Sequence, residues 1–155
     1  MYRVLFVCTA NICRSPIAQG LMEKKLAASG SGEAWEISSA GTWAAEGRPA
    51  SPTVQKLMEE RGVDLSEHRS REVDGDMLAD HDLVLVMEPG HKEALEVEFP
   101  DQADKVFMLS ELKGKEVKVR DPNGDPEEVY KKVIEKIEGY LEEAPGSLLD
   151  LLKKR

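Results

Sequence analysis

The stretch Arg3-Val4-Leu5-Phe6-Val7-Cys8-Thr9-Ala10-Asn11-Ile12-Cys13-Arg14-Ser15-Pro16 decides the fold. Its opening residues, Arg3 to Val7, are mostly apolar and β-favouring and read as a short strand. From Ser15 to Ala28 the apolar residues Ile17, Leu21, Met22 and Leu26 recur at helical spacing, and Ser15-Pro16 suits a helix start. Ser29-Gly30-Ser31-Gly32 closes that helix. Strand, tight loop and helix in succession open an α/β unit, and the alternation continues downstream. Trp35 to Ala40 reads as a second strand, Gly41 to Ser51 as a loop, and Pro52 to Arg61 as a helix stopped by Gly62. Leu83-Val84-Leu85-Val86-Met87 is a continuous apolar run, the pattern of a strand buried on both faces of a parallel sheet. A helix is predicted over His91–Glu98 and a fourth strand over Val106–Leu109. From Glu127 onward Val129, Tyr130, Val133, Ile134, Ile137 and Leu141 keep helical period until Pro145-Gly146 interrupts it. The fold class predicted is α/β: a three-layer sandwich in which a four-stranded parallel sheet carries helices on both faces. Its site should lie beyond the carboxyl ends of the strands.

Length and composition narrow the function. The 155 residues suit a single domain spanning 1–155. Net charge is −9, from 21 Lys and Arg against 30 Asp and Glu, which removes the electrostatic footprint for non-specific binding to nucleic acid or anionic lipid. No apolar run approaches the roughly 18 residues of a membrane span, and the N-terminal residues lack a signal-peptide pattern. The expected partners include neither nucleic acid nor a membrane, and the expected location is cytoplasmic. Two cysteines, Cys8 and Cys13, make no disulfide framework and read as reactive.

Cys8 ends the first strand, and Arg14 stands six residues on, at a helix start. A loop this short can curl its backbone N–H groups into an anion-binding nest, with the helix terminus adding partial positive charge. Arg14 offers a planar fork for two phosphate oxygens, with Cys8 beneath the phosphorus as nucleophile. The N–H groups, Arg14 and the Ser15 hydroxyl all favour thiolate over thiol. A Cys-x5-Arg pair alone also fits a buried cysteine and an unrelated surface arginine. The preceding strand, the Ser-Pro helix start and Asn11, which tolerates left-handed backbone, favour the phosphate reading.

These residues resemble the low-molecular-weight protein tyrosine phosphatase family, bacterial type, whose signature is approximately V-C-x-G-N-I-C-R-S-P; here it reads VCTANICRSP. Resemblance continues through SSAGTW (38–43), HRSR (68–71), LVLVME (83–88) and RDP (120–122). It implies hydrolysis of a phosphorylated protein substrate through a phosphocysteine at Cys8. Arg14 would bind the phosphoryl group, and Asp121 would serve as general acid and then base. The phosphate-binding loop would comprise Thr9, Ala10, Asn11, Ile12, Cys13 and Ser15, with no cofactor and no metal. His68 matches the family's histidine that hydrogen-bonds this loop, and Cys13 its second thiol, which can bond to the nucleophile under oxidation. Ala10 stands where the family usually has Gly and is therefore expected to keep a negative φ. His81 and His91 read as surface residues.

Substrate choice rests on the cleft walls, assigned to Ile12, Trp43 and Asn123. Many tyrosine-directed members carry tyrosines after Asp-Pro; this chain has Asn123-Gly124, which leaves Trp43 as the candidate aromatic wall or as a cap on the sheet edge. The family's protein arginine phosphatase branch has a loop resembling C-T-G-N-T-C-R, and the layout of residues 121–131 is similar to it. Ile12 lacks the hydroxyl of that branch and suits an aromatic ring, so phosphotyrosine is the favoured substrate and phosphoarginine the alternative. An arsenate reductase would need cysteines after Cys13, and there are none. A non-catalytic phosphopeptide-binding module would not need both Cys8 and Asp121.

Overall fold

Strand side chains alternate between two faces, so a strand apolar at every position must be covered on both. A computed structural model describes residues 1–155 and shows that arrangement. Strands β1 (Tyr2–Cys8), β2 (Trp35–Gly41), β3 (Leu83–Val86) and β4 (Val106–Met108) form one parallel sheet in the order β2-β1-β3-β4. Around it lie α1 (Arg14–Ala28), α2 (Pro52–Glu60), α3 (Gly75–Ala79), α4 (Pro89–Glu98), α5 (Glu127–Tyr140) and α6 (Gly146–Leu152). Val4 and Phe6 of β1 and Leu83 and Leu85 of β3 pack with Ile17 of α1, Leu57 of α2, Ile134 of α5 and Leu148 of α6. The alternate residues Leu5, Val7, Val84 and Val86 face the other way, with Leu78 of α3 and Leu95 of α4. The three-layer prediction holds. No helix is long and apolar enough to cross a membrane.

Chain direction across the sheet reverses at β1, because β2 lies on one side of it and β3 on the other. A crevice opens at such a switch point beyond the carboxyl ends of the strands. Cys8 is the last residue of β1 and Arg14 the first of α1, so the Cys-x5-Arg loop occupies that crevice.

Three expectations need correction. The helix predicted from His91 begins at Pro89, because proline suits the first helical position. The short α3 was not predicted; Asp74 caps it by accepting from Met77 N–H at 2.8 Å. His81 and His91 are not surface residues, at 4% and 6% exposed. His81 closes α3 by donating from Nδ1 to the Met77 carbonyl at 2.6 Å, and His91 is held against the Cys8–Arg14 loop by its hydrogen bond with Thr9.

Candidate active site

The loop's backbone is sorted by polarity. Its carbonyls are tied outward: Cys8 accepts from Thr42 N–H, Thr9 from Trp43 N–H, Ile12 from Ser51 N–H, and Cys13 from Ile17 N–H at 2.9–3.1 Å. Asn11 O accepts from His68 Nε2 at 2.7 Å. The N–H groups of Thr9, Ala10, Asn11, Ile12 and Cys13 donate to no protein acceptor. Consecutive amides free on one short loop, followed by a helix N-terminus, make an anion nest.

Asn11 holds the loop's shape. It is the only non-glycine residue with positive φ (58°), and it is fully buried. Its Nδ2 donates to Ser15 Oγ at 2.7 Å and Ser39 Oγ at 3.0 Å, while its Oδ1 accepts from Arg71 N–H at 3.0 Å. Ala10 keeps negative φ, so its Cβ causes no left-handed strain. Ser15 Oγ lies 3.0 Å from Cys8 Sγ and already accepts from Asn11. Its proton is therefore available to the sulfur, since the competing Ala40 carbonyl is farther, at 3.4 Å. Gly41 pairs with Cys8 in register, and a Cβ there would stand 2.3 Å from the Thr9 carbonyl oxygen. Only glycine lets β2 approach the loop so closely.

Arg14 is 2% exposed and held at one end. Its Nη1 donates to Glu88 Oε2 at 2.7 Å and to the Val119 carbonyl at 2.8 Å. Its Nε has no protein acceptor, and the one hydrogen bond of Nη2 is a long one of 3.5 Å to Thr9 Oγ1, so that edge of the fork is open to an anion. Burial works to raise the Glu88 carboxyl, but the Arg14 hydrogen bond and charge outweigh it and hold it below its ordinary range. Val119 N–H also donates to the Met87 carbonyl at 2.8 Å, which pins the segment leading to Asp121 against the end of β3. Asp121 Oδ2 then stands 3.9 Å from Arg14 Nη2, half-exposed, while its Oδ1 accepts from Asn123 N–H at 3.0 Å.

His91 Nε2 lies 2.8 Å from Thr9 Oγ1, whereas its buried Nδ1 has no partner. A buried N–H without an acceptor is rarely tolerated, so the proton belongs on Nε2, which donates to Thr9. Burial first, then the Arg14 charge, lower this imidazole to about 4 against the opposing pull of Glu88 and Asp121. His91 is thus neutral near pH 7. Glu88 and His91 are the residues that sequence reasoning did not assign to the site. Their position just past an apolar strand, at the carboxyl edge of the sheet, was the available signal.

Cys8, Thr9, Ala10, Ile12, Cys13, Arg14, Asp121 and Asn123 line one cleft of about 190 Å3. Ile12 and Asn123 are therefore wall residues in space. Trp43 is not: its N–H reaches the Thr9 carbonyl at 3.0 Å, yet its ring is 83% exposed and lines no part of the cleft. The surrounding Gly/Ala-rich loop offers that ring nothing to pack on, so it neither walls the cleft nor caps the sheet. Cys13 is a buried thiol, pushed up to about 12 by burial and then by Cys8 and Asp121. His68 bonds the loop as its resemblance implied. No cluster of residues suited to a metal ion is present.

A family model described as low molecular weight phosphotyrosine protein phosphatase matches residues 3–154. The chain belongs to that family. A low molecular weight protein tyrosine phosphatase from T. tengcongensis superposes with a TM-score of 0.87 at 43% identity, covering 97% of this chain and 99% of that one. The protein-arginine-phosphatase of Geobacillus stearothermophilus is 37% identical over 142 residues, 91% of this chain and 92% of the relative. A mutant of the YwlE arginine phosphatase, solved with a phosphorylated active-site serine, superposes with a TM-score of 0.88 at 31% identity, covering 98% and 96% of the two chains. Both substrate branches of this phosphatase family are thus represented among its relatives.

Proposed function

We propose that this phosphatase hydrolyses protein phosphotyrosine and aryl phosphate monoesters in two steps. In the first, Cys8 Sγ attacks phosphorus, the bond to the phenolic oxygen breaks, and Asp121 gives that oxygen its proton. In the second, Asp121 takes a proton from water, whose oxygen attacks phosphorus and releases phosphate and the Cys8 thiolate. Arg14 Nε and Nη2, with the free amides of residues 9–13, carry the charge of the transferring group in both steps. Ser15 steadies the leaving thiolate with one hydrogen bond. The observation that carries this reading is that Asp121, distant in sequence, converges with Cys8 and Arg14 on one small cleft. A relative trapped with phosphate on its active-site serine supports the covalent route.

Ile12 supports the choice of an aryl ester, because it presents an apolar wall with no hydroxyl to direct water. A second reading, phosphoarginine as substrate, is favoured by the 37% identity to a protein-arginine-phosphatase. One experiment separates them: initial rates on phosphotyrosine and phosphoarginine peptides, for the parent, Cys8→Ser, Asp121→Ala and Ile12→Thr. Cys8→Ser should abolish turnover of both, and Asp121→Ala should lower the phosphotyrosine rate by roughly 100-fold or more. The parent should prefer phosphotyrosine and Ile12→Thr should narrow that preference. Parent preference for phosphoarginine overturns the substrate assignment; full activity of Cys8→Ser overturns the mechanism.

A further inference from the structure

Of the eight arginines, Arg3, Arg14, Arg61, Arg120 and Arg155 each pair with a carboxylate. Arg48, Arg69 and Arg71 do not, although the chain carries 30 acidic residues. These three are neighbours: Gly47 N–H donates to the Ser70 carbonyl at 2.8 Å and Ser70 N–H to the Arg48 carbonyl at 2.7 Å. Arg69 and Arg71 also line a concavity of about 230 Å3 with Gln19, Ser38, Ser39 and His68, and no carboxylate lines it.

Backbone carbonyls hold these cations in place without neutralising them. Arg69 Nη1 donates to Ser66 O and His68 O at 3.1 and 2.7 Å, and Arg71 Nε donates to Ser39 O at 3.0 Å. Three separate bonds connect this concavity to the catalytic loop. Arg71 N–H and His68 Nε2 donate to Asn11 Oδ1 and O, and Ser39 Oγ accepts from Asn11 Nδ2. His68 registers the local field: burial first, then the charges of Arg69 and Arg71, lower its imidazole below the ordinary range.

We propose that this concavity is a second oxyanion site, taking a phosphate-sized dianion between Arg69 and Arg71, and that its occupancy acts on the catalytic loop through Asn11. Planar guanidinium forks without carboxylate partners are the groups suited to that ligand. Binding here does not depend on the catalytic reading; the effect on turnover does.

The test is a titration of inorganic phosphate into the 15N-labelled protein, followed by amide NMR at ionic strength held constant with sodium chloride. Thr9 to Arg14 should shift with one midpoint, Ser38, Ser39 and Arg69 to Arg71 with a second, and Asn11 with both. In Arg69→Gln the second midpoint should weaken by about threefold or more, the scale of one exposed charge contact, and the first should stay. Phosphate should inhibit p-nitrophenyl phosphate hydrolysis by lowering kcat as well as raising KM in the parent, and by raising KM alone in Arg69→Gln. Stationary amides at 69–71, one midpoint shared with the loop, a second midpoint indifferent to Arg69→Gln, or the same shifts with chloride alone would overturn the site. Purely competitive inhibition in both proteins would overturn its coupling to the loop. Shifts at 69–71 with a silent Thr9–Arg14 loop would uphold the anion site but overturn both its coupling through Asn11 and the proposed function.

Discussion

Thr9 Oγ1 accepts a hydrogen bond from His91 and lies 3.5 Å from Arg14 Nη2, so its own proton is free for an oxygen in the cleft it lines. A hydrogen bond to a charged group contributes about 1.5–3 kcal/mol, so losing this orientation should weaken phosphate binding about tenfold or more. The measurement is the Ki of inorganic phosphate in His91→Ala and in His91→Gln. Alanine should raise Ki by that amount with a smaller change in kcat, whereas the glutamine amide, which can donate from nearly the same point, should recover most of it. An unchanged Ki alongside lowered thermal stability would reduce His91 to core filling. Residues of the Cys8–Ser15 loop were legible in sequence because their chemistry depends on local spacing. Asp121 was legible only through resemblance, since an Asp before proline otherwise reads as a turn. Of Glu88 and His91 only the place, just past an apolar strand, was legible: their roles depend on β3 lying beside β1, and a histidine after Pro-Gly has no periodic partner to mark it as buried.

Among the elements, the four strands and the long helices were readable because burial on two faces leaves a continuous apolar signature, as in Leu83–Val86, and burial on one leaves a helical stripe, as in α5. The brief α3 has a single buried residue, Leu78, too little for a period to emerge. Strand β2 contributes to the site by its terminus, where Gly41 passes beneath the loop and its N–H donates to Arg71 O at 2.9 Å while its carbonyl accepts from Val73 N–H at 2.9 Å. That end fixes the loop's floor from below. Gly41→Ala would set a Cβ 2.3 Å from the Thr9 carbonyl oxygen and 2.9 Å from Ala44 Cβ, and the backbone would have to shift. Overpacking of this kind costs about 1–3 kcal/mol. The expected outcome in urea unfolding is a loss of that size with the m-value unchanged, accompanied by weaker phosphate affinity because Thr9 and Asn11 move. Retained affinity in the destabilised variant would mean that β2 supports the fold and not the loop.

Across the whole molecule, a net charge of −9 coexists with an anion nest because local contacts at a few ångströms outweigh a field screened over about 8–10 Å. The histidines follow a different global pattern: His68, His81 and His91 are all lowered, in each case mainly by burial. A base with a lowered folded-state pKa takes its proton more readily when unfolded, so its stabilising effect is complete above the unfolded value and disappears as pH falls through the folded one. For His91 that window runs from 6.5 down to about 4. A shift of that size corresponds to about 3 kcal/mol. Glu88, also lowered, adds a loss with the same sign below its ordinary 4.5, as protonation breaks its pairing with Arg14. Thermal unfolding followed from pH 7.5 to pH 4 should therefore show Tm falling steadily from about pH 6.5. His91→Gln keeps a donor for Thr9 but cannot titrate, so its curve should be flatter through the same window and should approach the parent's at the acid end. Parallel curves for the two proteins would show that His91 takes up no extra proton on unfolding, and the acid loss would then have to come from His68, His81 and Glu88.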